Sequence, residues 1–182
     1  MDWFERPTEE VARALLGATL VHGRVSGTIV ETEAYLAEDD PSCHACGRRT
    51  RRTEIFWGEG GLAYVYLCYG LHWCLNVVAH APGAGGVVLL RAVMPIAGLE
   101  LMRKRRRRDD PAVRLASGPA RLTQAFGVTG RLNGADMKTG DFRIEPAGRN
   151  PGRIVRGPRI GISKAKELPL RFWLAGNGAV SR

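Results

Sequence analysis

The stretch Thr28-Ile29-Val30-Glu31-Thr32-Glu33-Ala34-Tyr35 changes side-chain character at every second residue, a periodicity that suits an extended strand. On a strand, Ile29, Glu31, Glu33 and Tyr35 share one face, while Val30, Thr32 and Ala34 share the other. Two carboxylates therefore stand beside a flat aromatic ring. By pattern alone the plain reading is the solvated face of a half-buried strand. The residues further along the chain favour a site.

The flanking sequence supplies a framework for that strand. Pro7-Thr8-Glu9-Glu10, followed by Val11, Leu15 and Leu16, predicts a helix with an apolar stripe that stops near Gly17 and packs on a sheet. Ala18 to Val25 and Ser26 to Tyr35 read as two strands joined in a short hairpin around Ser26-Gly27. The segment Ala37 to Gly61 is irregular and reads as a surface excursion of the kind that often carries binding residues.

Leu62 to Val78 predicts a β-hairpin that bends around Tyr69 to His72. Tyr64 and Tyr66 share a strand face, where cross-strand aromatic packing is the common arrangement. Tyr69, beside Gly70 at the bend, is placed to project from the body, where a ring can wedge between stacked bases. Val87 to Val93 is an apolar strand interrupted by Arg91, which needs a partner if buried; Glu31 and Glu33 are the candidates. Pro95 to Met102 reads as a short helix. Ala112 to Phe126 reads as a turn at Ser117-Gly118-Pro119 opening another helix. Short strands are expected around Phe142 to Ile144, Arg159 to Ile162 and Arg171 to Leu174.

With 182 residues, 45% of them hydrophobic, the chain is sized for one domain with a proper core. No run of about 18 apolar residues is present, and Met1-Asp2-Trp3-Phe4-Glu5-Arg6 lacks the layout of a signal peptide. A soluble, cytoplasmic protein is expected. The net charge of +9 predicts salt-dependent attraction to polyanions, nucleic acid before membrane lipid. The basic residues cluster at Arg48, Arg49, Arg51 and Arg52, and again from Arg103 to Arg108. Both groups suit phosphate contacts, although the second also reads as a solvated loop or frayed helix end. Cys43-x-x-Cys46 has the spacing of half a zinc site, but no second pair completes it, and Cys68 and Cys74 fall in apolar segments. Reduced thiols and no metal are expected.

Several of these segments together resemble the alkyladenine (3-methyladenine) DNA glycosylase family. They are Glu31-Thr32-Glu33-Ala34-Tyr35, His44, Tyr64-Val65-Tyr66, Tyr69-Gly70, Cys74-Leu75-Asn76, Leu89-Leu90-Arg91-Ala92, Gly98-Leu99-Glu100 with Met102-Arg103, Ser117-Gly118-Pro119 and Pro169-Leu170-Arg171-Phe172. Their order and spacing agree over nearly the whole chain. The resemblance implies an α+β, β-rich fold: a single compact domain over residues 1–182, with a curved, open barrel-like antiparallel sheet flanked by helices and a protruding β-hairpin.

It also implies a DNA repair enzyme that flips a damaged purine from double-stranded DNA and hydrolyses its N-glycosidic bond, with no cofactor. By that resemblance Glu33 activates the water and Arg91 helps hold it; Tyr35, His44 and Tyr66 wall the flipped base. Asn76 discriminates against the exocyclic amino group of guanine, Tyr69 fills the gap in the helix, and Arg48, Arg49, Arg51 and Arg52 contact the DNA backbone. The candidate substrates are 3-methyladenine, 7-methylguanine, hypoxanthine and etheno-adenine. The lysines are Lys104, Lys138, Lys164 and Lys166, none at a motif position for a Schiff base, so a monofunctional glycosylase without lyase activity is expected. A monomer is the expected state, since one finger probing one lesion needs no symmetry mate.

The chain departs from the family pattern where Arg49-Thr50-Arg51-Arg52-Thr53 replaces an Arg-Thr-Pro-Arg-Asn segment, which adds charge and alters loop shape. The alternative reading is a non-catalytic, basic damage-recognition module with a metal at Cys43 and Cys46. It accounts for charge and tyrosines but not for Glu33, an unhelpful charge on a polyanion-binding face.

Overall fold

Helix α1 (Thr8–Ala14) is followed by β1 (Thr19–His22) and β2 (Val25–Leu36), then a 3-10 turn at Glu54–Trp57. Next come the hairpin β3 (Ala63–Cys68) and β4 (His72–Val78), strand β5 (Gly86–Ala97), and helices α2 (Leu99–Arg106), α3 (Ala112–Leu115) and α4 (Pro119–Phe126). Short strands β6 (Phe142–Glu145), β7 (Ile154–Gly157) and β8 (Arg171–Leu174) complete the chain. The structure, a computed structural model, describes residues 2–148 and 150–181.

The strands form one antiparallel sheet in the order β3-β4-β5-β2-β1-β6, with β8 bridging β2 and β7. The sheet curls into a half-barrel, as the sequence led us to expect. Strand β2 sits at the branch: β5 pairs along one edge, while β1 pairs with its first residues and β8 with Glu31 to Glu33 on the other. Helix α1 packs behind it, tied by the Thr32 hydroxyl, which donates to the Ala12 carbonyl at 2.8 Å. Because Thr32 points to the helix, its neighbours Glu31 and Glu33 point to the opposite face. The core, including Phe4, Leu15, Leu75, Leu90, Phe126 and Phe172, fills the space between sheet and helices.

Three local expectations are corrected. The β1–β2 turn lies at Gly23-Arg24, not Ser26-Gly27, since His22 already pairs with Val25. Gly27 is instead a strand residue where β5 approaches closely: a Cβ there would stand 2.5 Å from Val93 Cγ1. Pro95 belongs to β5, opposite Gly27 at a register shift where proline is tolerated, and the helix begins only after Gly98, whose φ is 77°. Arg159 to Ile162 is a loop; the strand of that region is Ile154–Gly157. The excursion from Ala37 to Gly61 packs its own small core, with Cys43, Ala45 and Phe56 against Tyr64, Val78 and Val87.

Candidate active site

Register shifts between β2 and β5 leave Val30 and Arg91 without partners across the strands. Such bulges re-aim side chains, and Arg91 leaves the apolar run of β5 to meet both carboxylates of β2. Its Nε donates to Glu31 Oε1 at 3.1 Å, and its Nη1 stands 3.2 Å from Glu33 Oε1. Glu31 and Glu33 have no exposed surface. Glu33 Oε1 also accepts the Ile160 N–H at 2.8 Å, and its Oε2 accepts the Tyr35 hydroxyl at 2.9 Å. Burial pushes the Glu33 carboxyl above the ordinary carboxylate range of about 4.5, outweighing Arg91, the Ile160 N–H and Tyr35, which pull it down.

Tyr35, Arg91 and Ile160 form the near wall of a cavity of about 830 Å³. Glu33 lies one layer behind that wall. The cavity brings together Tyr35, His44, Tyr66, Tyr69, Asn76 and Arg91 from β2, the excursion, the hairpin and β5, the residues that the sequence grouped. His44 sits edge-on to Tyr66, with ring centroids 4.7 Å apart, and Tyr66 stacks on Tyr64 at 5.3 Å. Burial and then Arg52 hold the His44 imidazole below its usual value of 6.5, so it is neutral at physiological pH. Asn76 is buried between β3 and β5, its Nδ2 donating to the Tyr64 carbonyl at 3.0 Å, which fixes its amide orientation.

Tyr69 is 89% exposed at the tip of the β3–β4 hairpin, flanked by exposed Leu67 and Leu71. Tyr69 and Gly70 adopt φ values of 50° and 70°. A tyrosine in the left-handed region is strained, and such strain is retained where surrounding structure holds it. Arg48, Arg49, Arg51 and Arg52 are all exposed. Arg52 differs from the other three: its Nε donates to the Tyr64 hydroxyl at 3.1 Å and it lines the cavity. Arg49 lies over the Trp57 ring at 4.3 Å.

Sequence reasoning missed a second buried pair. Arg159 and Asp40 have no exposed side-chain surface, and Nη2 donates to Asp40 Oδ1 at 2.7 Å. The Arg159 guanidinium lies 4.5 Å over the Tyr35 ring, and the Ser42 hydroxyl donates to the Lys164 carbonyl. These contacts join the His44 loop to the loop presenting Ile160. An acid and an arginine separated by more than a hundred residues carry no local signal. Lys164 and Lys166 line the cavity, a placement with no signal in the sequence. Of the second arginine block, Arg103 and Arg106 pair with acids of their own neighbourhood and Arg105 Nη1 donates to the Ala125 carbonyl at 3.1 Å. That block is helical, not a loop, through Arg106. No helix among the described residues is long and apolar enough to cross a membrane.

The family model for methylpurine-DNA glycosylase (MPG) matches residues 2–178. A protein of Methanoculleus marisnigri is 48% identical over 99% of this chain and 96% of its own length, and one of Nitrosospira multiformis is 47% identical over 98% and 91%. A Frankia casuarinae protein is 45% identical over 100% and 91%. Each is named "Putative 3-methyladenine DNA glycosylase". A match of that extent, falling on a curled sheet with the cavity described above, places the chain in the methylpurine-DNA glycosylase family.

Proposed function

We propose that residues 1–182 act as one monomeric domain that flips a damaged purine out of duplex DNA and hydrolyses its N-glycosidic bond, the first step of base excision repair. The single observation that carries this reading is the buried Glu33–Arg91 contact directly behind an aromatic cavity whose mouth bears a protruding tyrosine. A carboxylate held apart from solvent suits the chemistry twice. Raised basicity makes it a better acceptor of a proton from water, and its charge opposes the positive charge that develops on the sugar as the bond breaks. Arg91 orients the water. Since Glu33 lies behind the wall, the segment Arg159 to Lys166 must give way when a nucleotide enters.

The substrates are alkylated or deaminated purines, the class that includes 3-methyladenine, 7-methylguanine, hypoxanthine and etheno-adenine. Tyr35, His44 and Tyr66 stack the flipped base, and a neutral His44 adds no repulsion toward a cationic one. The Asn76 amide, anchored on the Tyr64 carbonyl, turns its other N–H toward the 2-amino group of an undamaged guanine, donor against donor. Tyr69 occupies the vacated space in the helix and offsets part of the unstacking cost of a few kcal/mol. Arg48, Arg49, Arg51 and Arg52 engage phosphates.

The reaction is monofunctional. Lys164 and Lys166 are exposed, without the desolvation that turns a lysine into an amine nucleophile. Single-turnover excision on end-labelled duplexes carrying hypoxanthine, etheno-adenine or 7-methylguanine tests the proposal. Release of a damaged base by the native protein and not by Glu33→Gln supports it; binding without release from all three, with methylated genomic DNA also inert, overturns it. A borohydride-trapped adduct with abasic DNA would remove the monofunctional part alone.

A further inference from the structure

Arg91, in the cavity wall, is shared. Its directed hydrogen bonds run to Glu31 Oε1 from Nε at 3.1 Å and to the Ser181 hydroxyl from Nη2 at 3.2 Å, and only the third nitrogen approaches Glu33. Glu31 is in turn held from three sides. Arg171 Nε on β8 donates to its Oε1 at 2.6 Å, the Ser181 hydroxyl to the same oxygen at 2.9 Å, and the Ser181 N–H to Oε2 at 2.7 Å. Arg171 Nη2 closes the ring by donating to the Ser181 carbonyl at 3.1 Å. Two carboxylates and two guanidiniums thus balance in a pocket where Glu31 has no exposed surface.

A carboxylate clamped this firmly is not needed merely to neutralise Arg91, since Glu33 alone could do so. Its consequence is to fix the Arg91 plane and to keep most of the guanidinium's directed hydrogen bonding away from Glu33. We infer that Glu31, clamped by Arg171 and Ser181, is a positioning residue that apportions Arg91 between two carboxylates and so governs how firmly Arg91 holds Glu33. The inference rests on the reading of Glu33 as the base and names what regulates it. With Arg91 wholly available, Glu33 would be a weaker base; with Arg91 drawn further to Glu31, the guanidinium would be lost to the water.

The charged and titratable groups that face Glu33 are Tyr35 and Glu31 on its own strand, Arg91 on β5, and the loop after β7. That loop supplies the Ile160 N–H and, over the Tyr35 ring, Arg159 with its partner Asp40. Arg171 on β8 faces Glu31. Two substitutions therefore act on Glu33 with opposite sign. Glu31→Gln removes a like charge and frees Arg91 for Glu33, favouring the ionised form. Arg171→Gln leaves Glu31 with Arg91 as its remaining cation, pulling Arg91 away and favouring the protonated form.

The test is a carbon-13 NMR titration of the Glu33 side-chain carboxyl, identified by its loss in Glu33→Gln, beside the pH profile of single-turnover excision. Glu31→Gln should move the midpoint and the acid limb down by about one unit, and Arg171→Gln should move both up. Ser181→Ala, which removes one neutral donor, should slow excision a few-fold at unchanged lesion affinity. Midpoints that stay in place in the two charge variants, or that move in the same direction, overturn the inference and leave Glu31 a structural residue. If either charge variant does not fold, the sign of the other still decides. If the native protein releases no base, the glycosylase reading fails, while the NMR titration still decides whether Glu31 apportions Arg91.

Discussion

The back wall of the cavity and its rim are both densely charged, yet they use charge in opposite ways. In that wall and behind it, Arg91, Glu31, Glu33, Asp40 and Arg159 are buried and each meets an opposite charge. At the rim, Lys164 and Lys166 are exposed and Tyr69 stands almost wholly in solvent, and Arg48, Arg49 and Arg51 are exposed on the excursion beyond it. Charges sealed from water are costly to leave unpaired, whereas solvated ones contribute little to folding and are free to meet a polyanion. The back wall should therefore control rate and stability, and the rim should control binding.

The largest expected effect is on rate. Glu33→Gln should lower single-turnover excision by about 10² to 10⁴-fold while keeping or strengthening affinity for a lesion duplex, since it removes a negative charge near DNA. With Glu33 as the proposed base, the native acid limb should lie above 4.5, because burial raises its carboxyl, and activity should be lost as pH falls through that raised value. The sign for stability is the reverse: ionising a group whose folded value is raised weakens the fold, so Glu33→Gln should be no less stable than the native protein at neutral pH. A native acid limb at or below 4.5 would break the contrast on the chemical side.

Next in size is Asp40→Ala, which strands Arg159 inside the protein. We expect a loss of about 3–5 kcal/mol and a fall in Tm on the order of 10 °C. Calorimetry that finds an unchanged Tm would mean that water reaches Arg159. On the rim, Tyr69→Ala should change stability by less than about 0.5 kcal/mol and weaken capture of the flipped lesion by about tenfold, read from excision at subsaturating protein. An unchanged capture would show that the ring does not enter the duplex.

The smallest effects distinguish the two arginine blocks. Replacing Arg48, Arg49 or Arg51 singly by Ala should reduce the slope of log affinity against log salt by about 1. Arg106→Ala should leave that slope alone and lower Tm, because its guanidinium is held by Asp110 at 2.6 Å and by the Arg114 carbonyl at 3.1 Å. Equal salt slopes for both blocks would erase the distinction that burial draws between them.

Much of the architecture was legible because it is local. Alternation along β2 put Glu31, Glu33 and Tyr35 on one face, and the glycine at position 70 marked the hairpin bend. Where two glycines lay close together, at 23 and 27, periodicity alone chose the wrong turn. The tight packing of β5 against Gly27, which decides the matter, is a contact between strands distant in sequence. The expected strand at Arg159 to Ile162 failed for a similar reason: the Ile160 N–H serves the Glu33 carboxylate in place of a ladder partner.

The sequence by itself determined the period-two strands, the hairpin with its aromatic tip and the excess of positive charge. These follow from backbone geometry and composition within a few positions of one another. Tertiary structure decided which charges are sealed: that Asp40 finds Arg159, and that Ser181 and Arg171 close on Glu31. Such pairings depend on which strands lie side by side in the curled sheet and on how much water the packing excludes. The energy of a charge is set by those long-range surroundings, not by its neighbours along the chain.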